Sequence, residues 1–81
     1  MQEKDAKLYK AIGKVLREYR LSKNLKFTIF CYENDIATST LNNVENAVTQ
    51  TYFSKIAHII KALGLNFEEF GKLLDKELKS K

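Results

Sequence analysis

Short polar side chains follow one another in the segment IATSTLNNVEN, which runs from Ile36 to Asn46. Between Ile36 and Ser54 the chain has no Lys or Arg, and Glu45 carries the only formal charge. Ser, Thr and Asn side chains are residue types that hydrogen-bond to base edges in a DNA groove. The segment is therefore a candidate for base recognition, and any charge that holds phosphates must come from flanking elements.

Catalytic and metal-binding chemistry finds little support in the rest of the sequence. His58 has no second metal ligand at a useful spacing, so we interpret it as an ordinary surface residue of a helix. Cys31 has no obvious catalytic partner. The sequence contains no Gly-rich phosphate loop, no zinc-binding spacing and no paired catalytic carboxylates. We therefore expect no enzymatic activity, no metal ion, no cofactor and no small-molecule substrate.

Length and charge limit the class of protein further. The 81 residues suffice for one domain over 1–81, and a net charge of +4 is compatible with a nucleic-acid partner without requiring one. The basic residues lie towards the ends, with eight from Lys4 to Lys26 and four from Lys72 to Lys81. A single cysteine excludes an internal disulfide and fits a reducing, cytoplasmic setting. We expect neither a signal peptide nor a membrane span, because no long apolar segment occurs.

Apolar residues recur at helical spacing along the whole chain, and proline is absent. This pattern predicts an all-α protein with five helices, at about Asp5 to Leu21, Phe27 to Glu33, Thr38 to Glu45, Tyr52 to Leu63, and from Phe67 onwards. Gly64 is expected to end the fourth helix in a left-handed conformation. Asn66, with Glu69 three residues later, is expected to cap the fifth.

The last two helices are expected to bury one apolar stripe each. In the fourth helix the buried residues would be Phe53, Ile56, Ala57, Ile60 and Leu63. In the fifth helix the stripe consists of Phe67, Phe70, Leu73, Leu74 and Leu78. Leu74 and Leu78 could complete the core of the monomer or form a dimer interface, and the sequence leaves both possibilities open.

Two short helices joined by a tight turn indicate a helix-turn-helix. From Lys23 to Leu65 the segments KNLKFTIFC, DIATSTLNNVENA and FSKIAHIIKALGL follow the outline of the Cro and phage-repressor-like helix-turn-helix family, also called the XRE family. The segment IGKVLREYR resembles that family's first helix. The resemblance implies a compact, five-helix, lambda-repressor-like domain. Its family-like part would be 12–70, with 71–81 as a C-terminal helix extension.

The resemblance also implies roles for individual residues. A sequence-specific transcriptional regulator of this type places its third helix in the major groove of double-stranded DNA. The implied base-contacting residues are Thr38, Ser39, Thr40 and Asn43. The implied phosphate-contacting residues are Lys23, Lys26 and Asn46. A structural ion pair is implied between Arg20 and Glu45. A monomer with so few phosphate-contacting cations would bind DNA weakly. We therefore expect a homodimer formed through the C-terminal helix.

Several residues depart from the family pattern. Phe27 stands where a phosphate-binding Gln is usual, Ala37 replaces a capping Ser or Thr, and the loop AVTQTY that begins at Ala47 has no Lys or Arg. Ile29 and Tyr32 occupy positions that are polar in relatives. Together with Phe27 they suggest an alternative, a protein-interaction module on a helix-turn-helix scaffold with weak or no DNA binding. The solvent exposure of these three side chains distinguishes the two hypotheses.

Overall fold

The computed structural model describes the backbone of residues 3–80 and the side chains of residues 5–80. Over this range the chain forms the helices α1 (Glu3–Ser22), α2 (Phe27–Glu33), α3 (Thr38–Glu45), α4 (Phe53–Ala62) and α5 (Phe67–Lys79). The all-α prediction is confirmed for the described residues, and the predicted bounds of α2 and α3 agree with the structure. In the same range no helix is long and apolar enough to cross a membrane.

The long helix α1 packs against both α3 and α5, while α2 and α4 each contact α3. Apolar side chains from all five helices meet in one core between them. The most deeply buried are Leu16, Cys31, Leu41, Ile56, Ile59 and Ile60. Since α3 lies at the centre of these contacts, its orientation depends on the packing of the other helices.

Residues with left-handed backbone close the turns between helices. Asn24 (φ 58°) and Asp35 (φ 55°) follow α1 and α2, and Asn and Asp tolerate this conformation better than most residues. Gly64 has φ 81° and ends the α4 segment, as predicted. Asn66 caps α5 as predicted, because its Oδ1 accepts a 2.7 Å hydrogen bond from the Glu69 N–H.

The expected burial of the α4 and α5 stripes is only partly correct. Phe53 is 63% exposed, Phe67 is 48% exposed and Leu73 is also exposed, whereas the unpredicted Ile59 is fully buried. Phe53 and Phe67 are the first residues of their helices. Their rings stack on each other at the protein surface, with centroids 6.1 Å apart, instead of entering the core.

The C-terminal part of α5 packs along α1. Leu74 packs against the core and Leu78 is half-buried, so both contribute to packing within the monomer. Lys14 of α1 reaches Glu77 of α5 with Nζ and Oε2 3.1 Å apart. Hydrogen bonding to Glu77, together with its negative charge, raises the pKa of Lys14 above its ordinary value.

Candidate nucleic-acid interface

A tight turn joins α2 to α3 and fixes the angle between them. The Ile36 N–H donates to the Cys31 carbonyl at 2.9 Å, and the Asn34 side-chain amide donates to the Phe30 carbonyl at 2.9 Å. The Ile36 side chain is buried in the core. His58 of α4 lies on the surface, and its Nε2 is 2.9 Å from the Asn34 carbonyl oxygen. The turn is therefore held by the end of α2, by the core and by α4.

Helix α3 has one buried face and one face open to solvent. Leu41 and Val44 point into the core and leave almost no exposed surface. Of the four residues predicted to contact bases, Thr38 and Ser39 are exposed to solvent, and Thr40 and Asn43 are partly exposed. The open face thus presents hydroxyl and amide groups without a formal charge.

The C-terminal end of α3 is joined to α1 by a buried ion pair. Arg20 Nε lies 2.7 Å from Glu45 Oε2, and Arg20 Nη2 lies 3.1 Å from Glu45 Oε1. The third guanidinium nitrogen, Nη1, donates to the Leu25 carbonyl at 2.6 Å. The two side chains are only 6% and 4% exposed. Bidentate geometry of this kind fixes orientation, and each buried charge has its partner.

Phe27, the main departure from the family pattern, packs against this ion pair. The Arg20 Cζ lies 5.4 Å from the centroid of the Phe27 ring, and the ring is half-buried. An arginine over an aromatic face at this distance is stabilised by the ring quadrupole. Phe27 therefore supports Arg20 from the start of α2, a role that could not be recognised from the missing hydrogen-bond donor alone.

Gly13 allows the backbones of α1 and α3 to approach each other closely. A Cβ atom at Gly13 would overlap the Val44 carbonyl oxygen and lie 2.8 Å from the Glu45 carbonyl oxygen. Both are backbone atoms, which cannot rotate away as a flexible side chain could. Sequence reasoning missed this residue, although a glycine inside a helical pattern is a signal for close packing.

Cys31 lies in the core near the same ion pair. Burial raises the pKa of the Cys31 thiol, the charge of Glu45 raises it further, and Arg20 partly offsets these effects. A thiol with a raised pKa is a weaker nucleophile at neutral pH, because less of it is thiolate. Within the described residues, no three His, Cys, Asp or Glu side chains are grouped so that they could hold a metal ion.

The three residues predicted to contact phosphates lie on the surface in different environments. Lys26 is exposed at the N-cap of α2 and makes no side-chain capping bond. Lys23 is exposed, with its Nζ 5.3 Å from the centroid of the Tyr19 ring. The Asn46 side-chain amide donates to the Asn42 carbonyl at 3.1 Å and to Asn42 Oδ1 at 2.9 Å. Asn46 would have to release these bonds to donate elsewhere.

The neutral loop after α3 begins with a capping motif that usually contains glycine. The Val48 N–H donates to the Asn43 carbonyl at 3.0 Å, and the Ala47 N–H donates to the Val44 carbonyl at 3.3 Å. These are the two bonds of a Schellman motif, with Ala47 in the left-handed position at φ 51°. At the other end of α3, the N-cap Ala37 makes no side-chain capping bond. Both ends of α3 therefore have alanine at positions where a different capping residue is preferred.

These features define a helix-turn-helix within an arrangement of five helices. The same fold occurs in a crystal structure of the wild-type restriction-modification controller protein C.Esp1396I. The two structures superpose with a TM-score of 0.84, over 91% of this chain and 96% of that chain, at 19% sequence identity. At this identity the likeness shows a shared fold. No protein-family model and no curated protein matches the chain.

Proposed function

We propose that the protein is a sequence-specific DNA-binding transcriptional regulator of phage-repressor type, which inserts α3 into the major groove. The observation that carries this proposal is the open face of α3. It presents uncharged hydrogen-bonding side chains to solvent, while the opposite face and the Arg20–Glu45 ion pair fix the helix in place. The fold shared with a restriction-modification controller protein supports a regulatory role.

Thr38, Ser39, Thr40 and Asn43 are the proposed base-contacting residues. An Asn side chain can form two hydrogen bonds with adenine, and Thr can pack its methyl group on that of thymine. Such a set favours sites that contain A·T pairs. Lys23 and Lys26 would hold phosphates beside the groove, and the free N–H groups at the start of α2 favour an anion near Lys26. Asn46 would contribute once its amide turns away from Asn42.

The small number of phosphate contacts available to a monomer favours a homodimer as the functional form. Each neutralised phosphate adds about 0.9 to the slope of log affinity against log salt concentration, so a monomer with two or three such contacts binds weakly at physiological salt. A two-fold dimer doubles the number of contacts. The C-terminal helix α5 is the part of the chain that we expect to contribute to the dimer.

Selection from a random DNA duplex pool at low salt tests the proposal. The wild-type protein is expected to enrich one sequence family. Ser39→Glu places a negative charge on the open face of α3 and should abolish enrichment. Ser80→Glu makes the same change in charge at the exposed end of α5 and should leave enrichment intact. If the wild-type protein enriches no sequence, the proposal is wrong.

A protein-interaction module remains the second candidate, and two exposed side chains favour it. Tyr32 is 88% exposed and Ile29 is 54% exposed, three residues apart on α2. Phe27 no longer supports this candidate, because its ring packs against Arg20. Failure of the duplex selection, together with a binding partner lost on Tyr32→Lys, would favour the interaction module over the DNA-binding protein.

A further inference from the structure

Asn42 is an exposed amide side chain of α3 that the family resemblance assigned no role. Residues four apart lie on the same side of a helix, so Thr38, Asn42 and the C-cap residue Asn46 form one column along α3. All three side chains of this column are exposed to solvent. Asn42 therefore lies between a residue proposed to contact bases and a residue proposed to contact phosphate.

Thr40, two residues before Asn42, lies in a different environment. It is half-buried and lines a cavity that Ser54 and His58 of α4 also line. Two residues of an α-helix are about 200° apart around its axis, so Asn42 and Thr40 lie on nearly opposite sides of α3. Asn42 is the more accessible of the two to a DNA groove.

A hydrogen bond from Asn46 fixes the orientation of the Asn42 amide. The Asn46 Nδ2 donates to Asn42 Oδ1 at 2.9 Å and to the Asn42 carbonyl oxygen at 3.1 Å. Since only the oxygen of an amide can accept, the bond to Oδ1 sets which way the oxygen and the nitrogen of Asn42 face. An amide oxygen has two lone pairs and its nitrogen has two N–H groups. Beside its bond to Asn46, Asn42 can therefore still accept one hydrogen bond and donate two.

We propose that Asn42 reads a base directly and that Asn46 is its positioning residue. The inference rests on the proposed function and deepens it, because it names adenine as the base. In the major groove adenine presents an acceptor at N7 beside a donor at N6, and an asparagine amide pairs with both. Because Asn46 already holds the amide, Asn42 loses less conformational freedom when it binds. Asn46 then acts through Asn42 and keeps the bonds that a phosphate contact would break.

Duplex selection with single variants tests the role of Asn42. Asn42→Ala should lower the preference for adenine at one base pair by roughly 5- to 150-fold and leave the other positions of the site unchanged. Asn42→Asp keeps an oxygen that accepts from Asn46 but has no N–H group, so it should lose the adenine preference as fully as Asn42→Ala. If the wild-type protein selects a sequence and both variants keep every preference, the inference is wrong and the proposed function stands. A wild-type protein that selects no sequence overturns both.

A double-mutant cycle on the selected duplex tests the positioning role of Asn46. Asn46→Ala should lower the preference at the base pair read by Asn42 by roughly 2- to 10-fold, and it should have no further effect once Asn42→Ala is present. Among the described residues of α3, the Asn46 side chain donates to Asn42 and not to Asn43. Asn43→Ala is therefore the matched comparison, and its effect should add to that of Asn46→Ala.

Circular dichroism confirms that each variant is folded before its DNA binding is measured. A loss of helix stability alone would weaken binding to all sequences, whereas the positioning role predicts a change at one base pair. If Asn46→Ala weakens binding to every sequence alike, Asn46 contacts a phosphate and its positioning role is wrong. Additive effects of Asn42→Ala and Asn46→Ala would lead to the same conclusion.

Discussion

Replacing Gly13 by alanine should destabilise the protein, although alanine is the better helix former. The new Cβ would meet the carbonyl oxygens of Val44 and Glu45, and these belong to the backbone of α3. Either α1 or α3 must then move away, and the Arg20–Glu45 ion pair that joins the same two helices must lengthen or rearrange. The change therefore acts on the element that presents the proposed base-contacting residues.

The expected magnitude follows from two opposing effects. Alanine in place of glycine in a helix interior stabilises by about 1 kcal/mol, whereas overpacking a close contact costs about 1–3 kcal/mol. Because both opposing atoms are backbone, we place Gly13→Ala at the upper end, with a net loss of about 2 kcal/mol. In a chain of this size each kcal/mol shifts the Tm by about 4–8 °C, so the Tm should fall by roughly 8–16 °C.

Gly71 offers a matched control within the same chain. It lies inside α5, and a Cβ there would meet no atom within 4 Å. Gly71→Ala should therefore raise the Tm by about 4–8 °C through helix propensity alone. Thermal unfolding followed by circular dichroism compares the two variants directly. Equal Tm values for Gly13→Ala and Gly71→Ala would show that the close approach of α1 and α3 does not exclude a side chain at position 13.

Three further predictions concern α3 and its surroundings. Arg20→Met alone should lower the free energy of unfolding by about 3–5 kcal/mol, because it leaves the Glu45 charge buried without a partner. The double variant with Glu45→Leu should lose less than the sum of the two single losses. A double-mutant cycle measured by denaturant unfolding checks this, and additive losses would contradict it. Ala47→Gly should raise the free energy of unfolding by about 0.5–1 kcal/mol in the same assay, because glycine adopts the left-handed conformation without the steric strain of a Cβ atom. A loss of stability would contradict the left-handed conformation of Ala47. In gel-shift titrations on a selected duplex, Asn43→Ala should reduce the DNA-binding free energy by about 1–3 kcal/mol through one base pair. Lys26→Ala should weaken binding to all sequences alike and reduce the slope of log affinity against log salt concentration by about one. Equal losses at every base pair for Asn43→Ala would contradict base recognition.

The helices could be predicted from the sequence because their signals are local. The periodicity from Phe27 to Glu33 and from Thr38 to Glu45 gave the bounds of α2 and α3, and the Asn66 cap and the Gly64 turn followed from residue preferences. These preferences depend on neighbours within one helical turn, which is the range that a sequence pattern describes well.

The features that the sequence did not predict depend on contacts between elements that are distant in the chain. Phe53 fits the α4 periodicity, but it lies in the first turn, beyond the end of the core, and packs on Phe67. The role of Phe27 depends on Arg20, and the role of Gly13 depends on the carbonyl groups at the end of α3. Periodicity identifies the inward face of a helix, but it does not identify where along the helix the core ends.

The division of α3 into two faces separates the residues that stabilise the fold from the residues proposed to contact bases. Leu41, Val44 and Glu45 hold the helix in place, whereas Thr38 and Ser39 point to solvent. Substitutions at exposed positions usually change stability by no more than about 0.5 kcal/mol in either direction. The outer face can therefore accept new side chains one at a time, each on a folded protein. If α3 reads bases as proposed, a lineage that carries this helix can change its binding preference without passing through an unstable intermediate.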